Sequence, residues 1–192
     1  MKAGGYIGNI LRVDLTKRET RVESFDDKMA KRWIGGVGLG AHYLWEEIPA
    51  SVKWSDPENI MVWASGPLAG SGVYGAGTIN ITAKGPMTNL AGSSQANGFL
   101  GAYLKFSGFD AIIVQGRASQ PVYLWIKEGI AEIREADQFK GVDIIKLEAS
   151  LRAALSMKFR QISIYGIGPA GENLVRYASI GGDGGHFAAH NG

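Results

Sequence analysis

The 192-residue sequence contains no cysteine. This absence excludes disulfides, thiolate metal ligands and cysteine nucleophiles from the chain, and it favours a cytoplasmic location. The excess of positive charge is also small: the net charge is only +2. Nucleic acids and anionic membrane surfaces usually select a strongly basic surface, so we expect neither as a partner.

Long hydrophobic runs are missing as well. No stretch approaches the ~18 uninterrupted apolar residues that a membrane-spanning helix needs. The N-terminus, "MKAGGYIGNILRV", has a lysine but lacks the long apolar segment of a signal peptide. We therefore predict neither a transmembrane helix nor a secretory leader.

Glycine, by contrast, is abundant. The chain has 28 glycines, about twice the usual ~7% share. They cluster at 35–40, 66–77, 98–101, 166–171 and 181–185 without a fixed period, which is unlike collagen or a flexible linker. Clustered glycines indicate tight turns or places where the backbone approaches a ligand closely.

Hydrophobic periodicity predicts a mixed α+β domain. We predict helices at 26–34, 39–48, 97–108 and 143–155, with a polar loop, "SSQANG", at 93–98. The predicted strands are "YIGNILRVDL", "ETRVESF", "NIMVWAS", "GTINITAK", "DAIIVQGR", "VYLWIKEG", "IAEIREA" and "RQISIYGI" (160–167). The order favours two sheets with helices outside, an internal duplication, and one unit over 1–192 because no linker divides it.

Two glycine motifs resemble nucleotide-binding loops. "GIGPAG" (166–171) matches G-x-G-x-x-G, but Pro169 lies inside it and the residues that follow are too few and too β-like for the required helix. "GGVGLGAHYL" (35–44) follows a predicted helix rather than a strand, so a tight helix–helix turn is the better interpretation. His42, on that second helix, is interpreted as a structural or surface histidine.

Two polar segments are better candidates for ligand binding. The loop "SSQANG" leads into a helix, and its amides suit an anion or a metal-bound water, although a plain helix cap explains it equally well. The last segment, "GGDGGHFAAHNG" (181–192), combines imidazole, carboxylate and glycine backbone. By itself it would be a disordered tail.

Four segments in order resemble the N-terminal domain of the aldehyde ferredoxin oxidoreductase family. They are "YIGNILRVDLT", "ENIMVWASGPLAGSG", "LKFSGFDAIIVQGRASQPVYLWIK" and "IGPAGENLVRYASI". The resemblance implies a four-layer α/β/β/α body and a tungsten, or sometimes molybdenum, ion held by two pterins whose phosphates are bridged by magnesium. It also implies a four-iron four-sulfur cluster and helical domains that this chain does not include.

The resemblance also implies where the cofactor would lie. The pterin-contacting arginine of the family corresponds to Thr78, and pterin contacts would come from Gln95, Asn97 and Gly98. The backbone carbonyl of Gln95 would be a magnesium ligand.

The last loop of this domain, which commonly reads D-G-H-R-A-A-G-R-G in the family, differs here. His186 and His190 stand where arginines are common, with Ala189 as a further contact, and the Phe187 carbonyl would be the second magnesium ligand. Histidine lacks the bidentate fork of arginine, which indicates a divergent subfamily. We expect both histidines to face the pterin phosphates and the segment to be poorly supported without cofactor.

Three functions stay open at this point. In the first, the chain is the cofactor base of an enzyme that oxidises aldehydes to carboxylic acids and passes electrons to ferredoxin, with the fragment alone inactive and a homodimer possible. In the second, it is part of a related reductase of an aromatic thioester or another carbonyl compound. In the third, it is a stand-alone module that binds a phosphorylated ligand through its glycine-rich loops.

Overall fold

The computed structural model of the chain describes residues 4–188. Its strands are β1 Asn9–Asp14, β2 Glu19–Ser24, β3 Ile60–Ala64, β4 Ile79–Lys84, β5 Ala91–Ala96, β6 Ala111–Gln115, β7 Val122–Lys127, β8 Ile130–Glu135, β9 Tyr165–Gly166, β10 Ile180–Gly182 and β11 His186–Ala188. Its helices are α1 Asp27–Trp33, α2 Gly36–Glu47, α3 Leu100–Phe106, α4 Ile144–Ala154 and α5 Pro169–Glu172, with one 3-10 turn at Asp137–Phe139.

A six-stranded sheet in the order β2-β1-β6-β3-β4-β5 is the largest element of the fold. β1 runs parallel to β6, with Ile10 opposite Ala111, and the other neighbours are antiparallel. Side chains alternate between the two faces, as the period of a strand requires. Ile10 therefore packs in one hydrophobic core and Leu11 in another.

Helices α1 and α2 cover the first face of this sheet. The Asp26 carboxylate caps α1 by accepting a 2.8 Å hydrogen bond from the Met29 N–H. α2 approaches the sheet so closely that a Cβ added to Gly40 would lie 2.3 Å from the Thr82 hydroxyl oxygen. The turn between the helices spans only residues 34 and 35, which confirms the helix–helix interpretation of the "GGVGLG" segment.

The second face is covered by two smaller sheets, the hairpin β7-β8 and the three-stranded sheet β11-β10-β9. Residues of both sheets, such as Ile126 and Ile180, pack in the same core as Leu11. On the far side, Leu151 of α4 packs with Phe139 and Ile164. The layers are therefore α/β/β/α, and the mixed α+β class is confirmed, with three sheets rather than two within residues 4–188.

Ion pairs around a buried arginine join the large sheet to the helix layer. The Arg12 guanidinium on β1 pairs with Glu23 of β2 and Glu47 of α2, and the Tyr43 hydroxyl donates to Glu23 at 2.8 Å. Burial alone would raise the pKa of Glu23, but the hydrogen bonds from Arg12 and Tyr43 outweigh it and hold that pKa below its ordinary value.

Three predictions about local structure were wrong. Residues 93–96 belong to strand β5 rather than to a loop, and the strand predicted at 160–167 is reduced to the two residues of β9. The segment after 180, expected to be poorly supported, forms the β10–β11 hairpin as far as Ala188. The helix α5 begins inside the "GIGPAG" motif, at Pro169, and its four residues are far fewer than a dinucleotide site requires.

One order of elements occurs twice in the chain: a hairpin, then helix, then three antiparallel strands. β1–β5 with α1 and α2 form it first, and β7–β11 with α4 form it again. This is the order that an internal duplication would produce, although the duplication stays a prediction. Within residues 4–188, none of the helices has the length and apolar character needed to cross a bilayer.

Candidate cofactor-binding site

Three segments that are distant in sequence meet beside strand β5. They are the start of β4, the loop 97–99 that follows β5, and the β10–β11 hairpin, whose strand β11 lies against β5. The Thr78 hydroxyl lies 3.2 Å from the Asn97 side-chain oxygen and 3.1 Å from the Gly75 carbonyl. The structure therefore brings together the predicted site residues Thr78 and Asn97.

Loop 97–99 is held from two sides. The Tyr165 hydroxyl donates to the Asn97 carbonyl, and the Phe99 N–H donates to the Asp183 carboxylate at 2.8 Å. Gly98 lies between these two contacts with a φ of +102°, and a Cβ there would lie 2.8 Å from the Tyr165 hydroxyl oxygen. Glycine at this position is explained by close approach of the backbone to protein atoms.

Asp183 is a buried junction of hydrogen bonds. One carboxylate oxygen accepts from the Phe99 N–H and from the Ser163 hydroxyl, both at 2.8 Å, and the other accepts from the Ile164 N–H at 3.1 Å. The side chain thereby connects the loop after β5 to the segment before β9. Sequence reasoning treated Asp183 only as one polar residue of a glycine-rich loop.

A second buried carboxylate holds the same turn from outside. Both oxygens of Glu148 on α4 lie 3.1 Å from the Gly184 N–H, and Arg152 pairs with Glu148 at 2.9 Å. A buried carboxylate is stable only when donors or a cation compensate it, and here it has both. The β10–β11 turn is thus fixed between the helix layer and the loop 97–99.

Tyr165 remains a hydrogen-bond donor over the whole ordinary pH range. Burial raises the pKa of its hydroxyl, and the nearby negative charges of Asp183 and Glu148 raise it further. Its ring also contacts Trp63 of β3 edge-on, with ring centroids 6.5 Å apart. The contact to the Asn97 carbonyl therefore comes from a side chain anchored in the core.

The other predicted site residues lie on the neighbouring strands. Gln95 is exposed on β5 opposite Asn80, and His186 is exposed on β11 opposite Gly182. The Phe187 ring lies across Gly181, where an added Cβ would be 2.5 Å from a ring carbon. Ala189 and His190 lie outside the described residues.

An aromatic and cationic cluster borders the loop, and sequence reasoning missed it. The Phe99 ring contacts the Phe159 ring edge-on at 6.2 Å, and the Arg160 guanidinium carbon lies 5.4 Å from the Phe99 centroid. Residues 99 and 160 are far apart in the chain and share no motif, so no sequence signal connected them. Arg160 thereby brings a positive charge beside Phe99 of loop 97–99.

The polar groups around loop 97–99 can form hydrogen bonds to a polar ligand. They comprise the Thr78 hydroxyl, the exposed Asn97 amide and, on strand β11, the exposed His186 ring. The left-handed glycines at 72 and 75, which precede Thr78 in the chain, have open space where a side chain would lie. Within residues 4–188 the side chains of His, Asp and Glu form no group of three that could hold a metal ion. A cation bound here would rely on backbone or ligand oxygens, and a strand at the end of a sheet such as β5 directs alternate carbonyls away from its neighbour.

Comparisons with known proteins agree on one family. The sequence profile of the aldehyde ferredoxin oxidoreductase N-terminal domain matches residues 10–192. The tungsten-containing aldehyde ferredoxin oxidoreductase of Pyrococcus furiosus is 39% identical over 98% of this chain, and the WOR-like subunit of an aliphatic sulfonate oxidoreductase from the same organism is 34% identical over 91%. The chain spans 31% and 30% of the lengths of these two relatives.

The fold is also that of a solved enzyme. A chain of the active site complex BamBC of benzoyl coenzyme A reductase, solved in complex with 1,5-dienoyl-CoA, superposes with a TM-score of 0.93 and 33% identity, over 98% of this chain and 28% of that one. Sequence and structure thus agree along nearly the whole chain. It belongs to the aldehyde ferredoxin oxidoreductase family and corresponds to its N-terminal domain.

Proposed function

We propose that residues 1–192 form the cofactor-binding base of a tungsten- or molybdenum-pterin oxidoreductase that oxidises aldehydes to carboxylic acids. The observation that carries this proposal is the convergence of Thr78, Asn97 and the β10–β11 hairpin beside β5, in a chain whose relatives are tungsten enzymes. The whole enzyme would be about three times as long as this chain, judged by the 31% of the first relative that it spans.

The residues of this site would bind and orient the cofactor. The Thr78 hydroxyl and the Asn97 amide would contact the pterin, and His186 would face its phosphate. Backbone carbonyls of Gln95 and Phe187 would be ligands of the magnesium ion that accompanies the pterin phosphates. Gln95, Gly98, Ala189 and His190 complete the proposed contacts. When bound, the metal supplies the two-electron redox chemistry, and the protein supplies binding, orientation and electrostatics.

Electron transfer would require a further centre. Oxidation of an aldehyde with water to a carboxylic acid releases two electrons and two protons, and the acceptor would be ferredoxin or a similar protein. A four-iron four-sulfur cluster is held by cysteine thiolates, which this chain lacks. We therefore propose that its ligands come from the helical domains of the full-length protein, which acts in the cytoplasm and could pair as a homodimer.

A second candidate function is reduction of an aromatic thioester. The TM-score of 0.93 to the benzoyl coenzyme A reductase complex supports it, because the same domain there belongs to a reductase. Both functions would use the same cofactor base. The substrate would be selected by residues outside this chain.

The test uses the full-length protein, purified without oxygen. We expect tungsten or molybdenum, pterin and iron in stoichiometric amounts, and reduction of ferredoxin or a viologen dye with aldehydes as substrate. Activity on an aryl thioester but not on aldehydes would favour the second candidate. Protein free of tungsten, molybdenum and iron would overturn both.

A control separates these enzymes from a stand-alone binding module. We expect residues 1–192 alone to be inactive towards aldehydes. Tight binding of a phosphorylated pterin or a nucleotide by this isolated chain in calorimetry, together with a metal-free full-length protein, would instead support the binding module.

A further inference from the structure

The candidate site is divided between two segments that belong to different sheets. Loop 97–99 follows β5 in the large sheet, while residues 183–188 belong to the small sheet β11-β10-β9. A bound group that contacts both segments needs them at a fixed separation, because misplacement of about 1 Å already weakens catalysis strongly. Something in the protein must set that separation.

The Asp183 carboxylate links the two segments directly through a hydrogen bond. It belongs to the turn between β10 and β11 and accepts a hydrogen bond from the Phe99 N–H at 2.8 Å, so the residue that follows β10 directly holds the residue that follows Gly98. Asp183 is only 5% exposed, which shields these hydrogen bonds from competing water. All three of its partners are donors, which suits a carboxylate that only accepts.

The backbone around Asp183 keeps the carboxylate in place. Its φ of +48° lies in the left-handed region, its N–H donates to the Ile164 carbonyl at 3.1 Å, and Glu148 holds the next residue. On the other side, only a glycine at 98 lets the loop come close: an added Cβ would lie 2.9 Å from the carboxylate oxygen. Both sides of the contact are therefore built for this distance.

We propose that Asp183 is a positioning residue for cofactor binding: it fixes the distance between loop 97–99 and strand β11 without touching the cofactor itself. This inference rests on the proposed function. On this proposal Asp183 connects the two halves of the site and does not contact phosphate or magnesium.

The test compares three variants of the full-length protein. Asp183→Gly removes the carboxylate and tolerates the left-handed φ. Asp183→Asn keeps one acceptor and the same shape. Ser163→Ala is the matched control, because it removes one hydrogen bond from the same carboxylate oxygen but leaves the bond to Phe99 intact. The readouts are pterin and tungsten per protein, hydrogen exchange of the peptide containing Phe99, and Tm.

We expect Asp183→Gly to lose exchange protection at Phe99 and to retain roughly tenfold less cofactor, the effect typical of residues that orient direct ligands. Asp183→Asn should lie between it and the wild type, and Ser163→Ala should lower Tm slightly while keeping its cofactor. If Asp183→Gly does not fold, Asp183→Asn decides.

Two results overturn the positioning role. One is wild-type cofactor content in the Asp183 variants. The other is a loss of cofactor in all three variants that is proportional to the decrease in Tm, since that would indicate general destabilisation. A wild-type protein that holds no pterin or metal refutes the proposed function as well, so the two failures are distinguishable.

Discussion

Gly98 and Gly72 have similar left-handed backbones but different surroundings. Their φ values are +102° and +79°; Gly98 faces Tyr165 and Asp183, whereas Gly72 has nothing within 4 Å of an added Cβ. We predict that Gly98→Ala costs roughly 2–4 kcal/mol, because overpacking adds to the dihedral strain. Gly72→Ala should cost only about 1–2 kcal/mol, from the dihedral alone.

Urea unfolding of the two variants measures this difference. Hydrogen exchange at 97–99 should accelerate in Gly98→Ala and stay unchanged in Gly72→Ala. Equal unfolding free energies would show that the close approach seen at Gly98 contributes nothing.

Single residues of the site were predictable to different degrees. Thr78 and Asn97 came from the family resemblance, and the structure brings them within 3.2 Å. The role of Asp183 was not predictable, because its three donors come from Phe99, Ser163 and Ile164, which no local pattern connects to it. A residue that acts through long-range hydrogen bonds leaves no periodic signal in the sequence.

At the scale of elements, the close approach of α2 to the sheet predicts that a Gly→Ala substitution in this helix lowers the stability of the protein instead of raising it. Gly→Ala in a helix ordinarily stabilises by about 0.5–1 kcal/mol. At Gly40, however, the new Cβ would lie 2.3 Å from the Thr82 hydroxyl oxygen and 2.5 Å from its Cβ, so helix and sheet must separate. We expect Gly40→Ala to destabilise by about 1–3 kcal/mol.

Ala41→Gly is the control on the same helix, because Ala41 is exposed. It should cost about 1 kcal/mol through helix propensity alone. Thermal and urea unfolding would test both variants, and a stabilised Gly40→Ala would contradict the packing of α2 against β4.

The success of periodicity also varied between elements. β1, β3, β6 and α4 were predicted within a few residues because apolar side chains mark their buried faces. β5 reads Ala-Gly-Ser-Ser-Gln-Ala, which carries almost no β-forming residues, and β10 consists of Ile-Gly-Gly. These strands form because their neighbours in the fold pair with them, which a local pattern does not express.

At the scale of the whole molecule, the Arg12–Glu23–Glu47 cluster links the helix layer to the sheet. It also makes the free energy of unfolding decrease at acidic pH. The pKa of Glu23 is lower in the folded protein than its ordinary value of 4.5. The stabilisation is therefore complete above pH 4.5 and is lost as the pH falls through the lowered folded value, because the unfolded state binds the proton first.

We predict that the free energy of unfolding decreases below pH 4.5, and that the decrease is shallower in Glu23→Gln. Urea unfolding at pH 7 and across the acid range measures both slopes. Glu46→Gln, which removes an exposed acid on α2 outside this cluster, is the control. Identical slopes in all three proteins would exclude Glu23 as a source of the acid sensitivity.

The layered architecture was predictable only in part. The order of elements predicts helices outside two sheets, and the family resemblance supplies the four layers. The division of the second layer into β7-β8 and β11-β10-β9 was not predictable, since it depends on which short strands pair. Strand pairing between distant segments is set by the assembled core rather than by local sequence.

The position of β5 at the end of the large sheet has a consequence for handling the protein. The opposite end strand, β2, carries charged side chains at Glu19, Arg21 and Glu23, which discourage a foreign strand from adding there. β5 has only uncharged side chains, and the β10–β11 hairpin lies beside it and shields it. Any treatment that releases this hairpin would therefore leave a template for self-association, and aggregation would begin at β5.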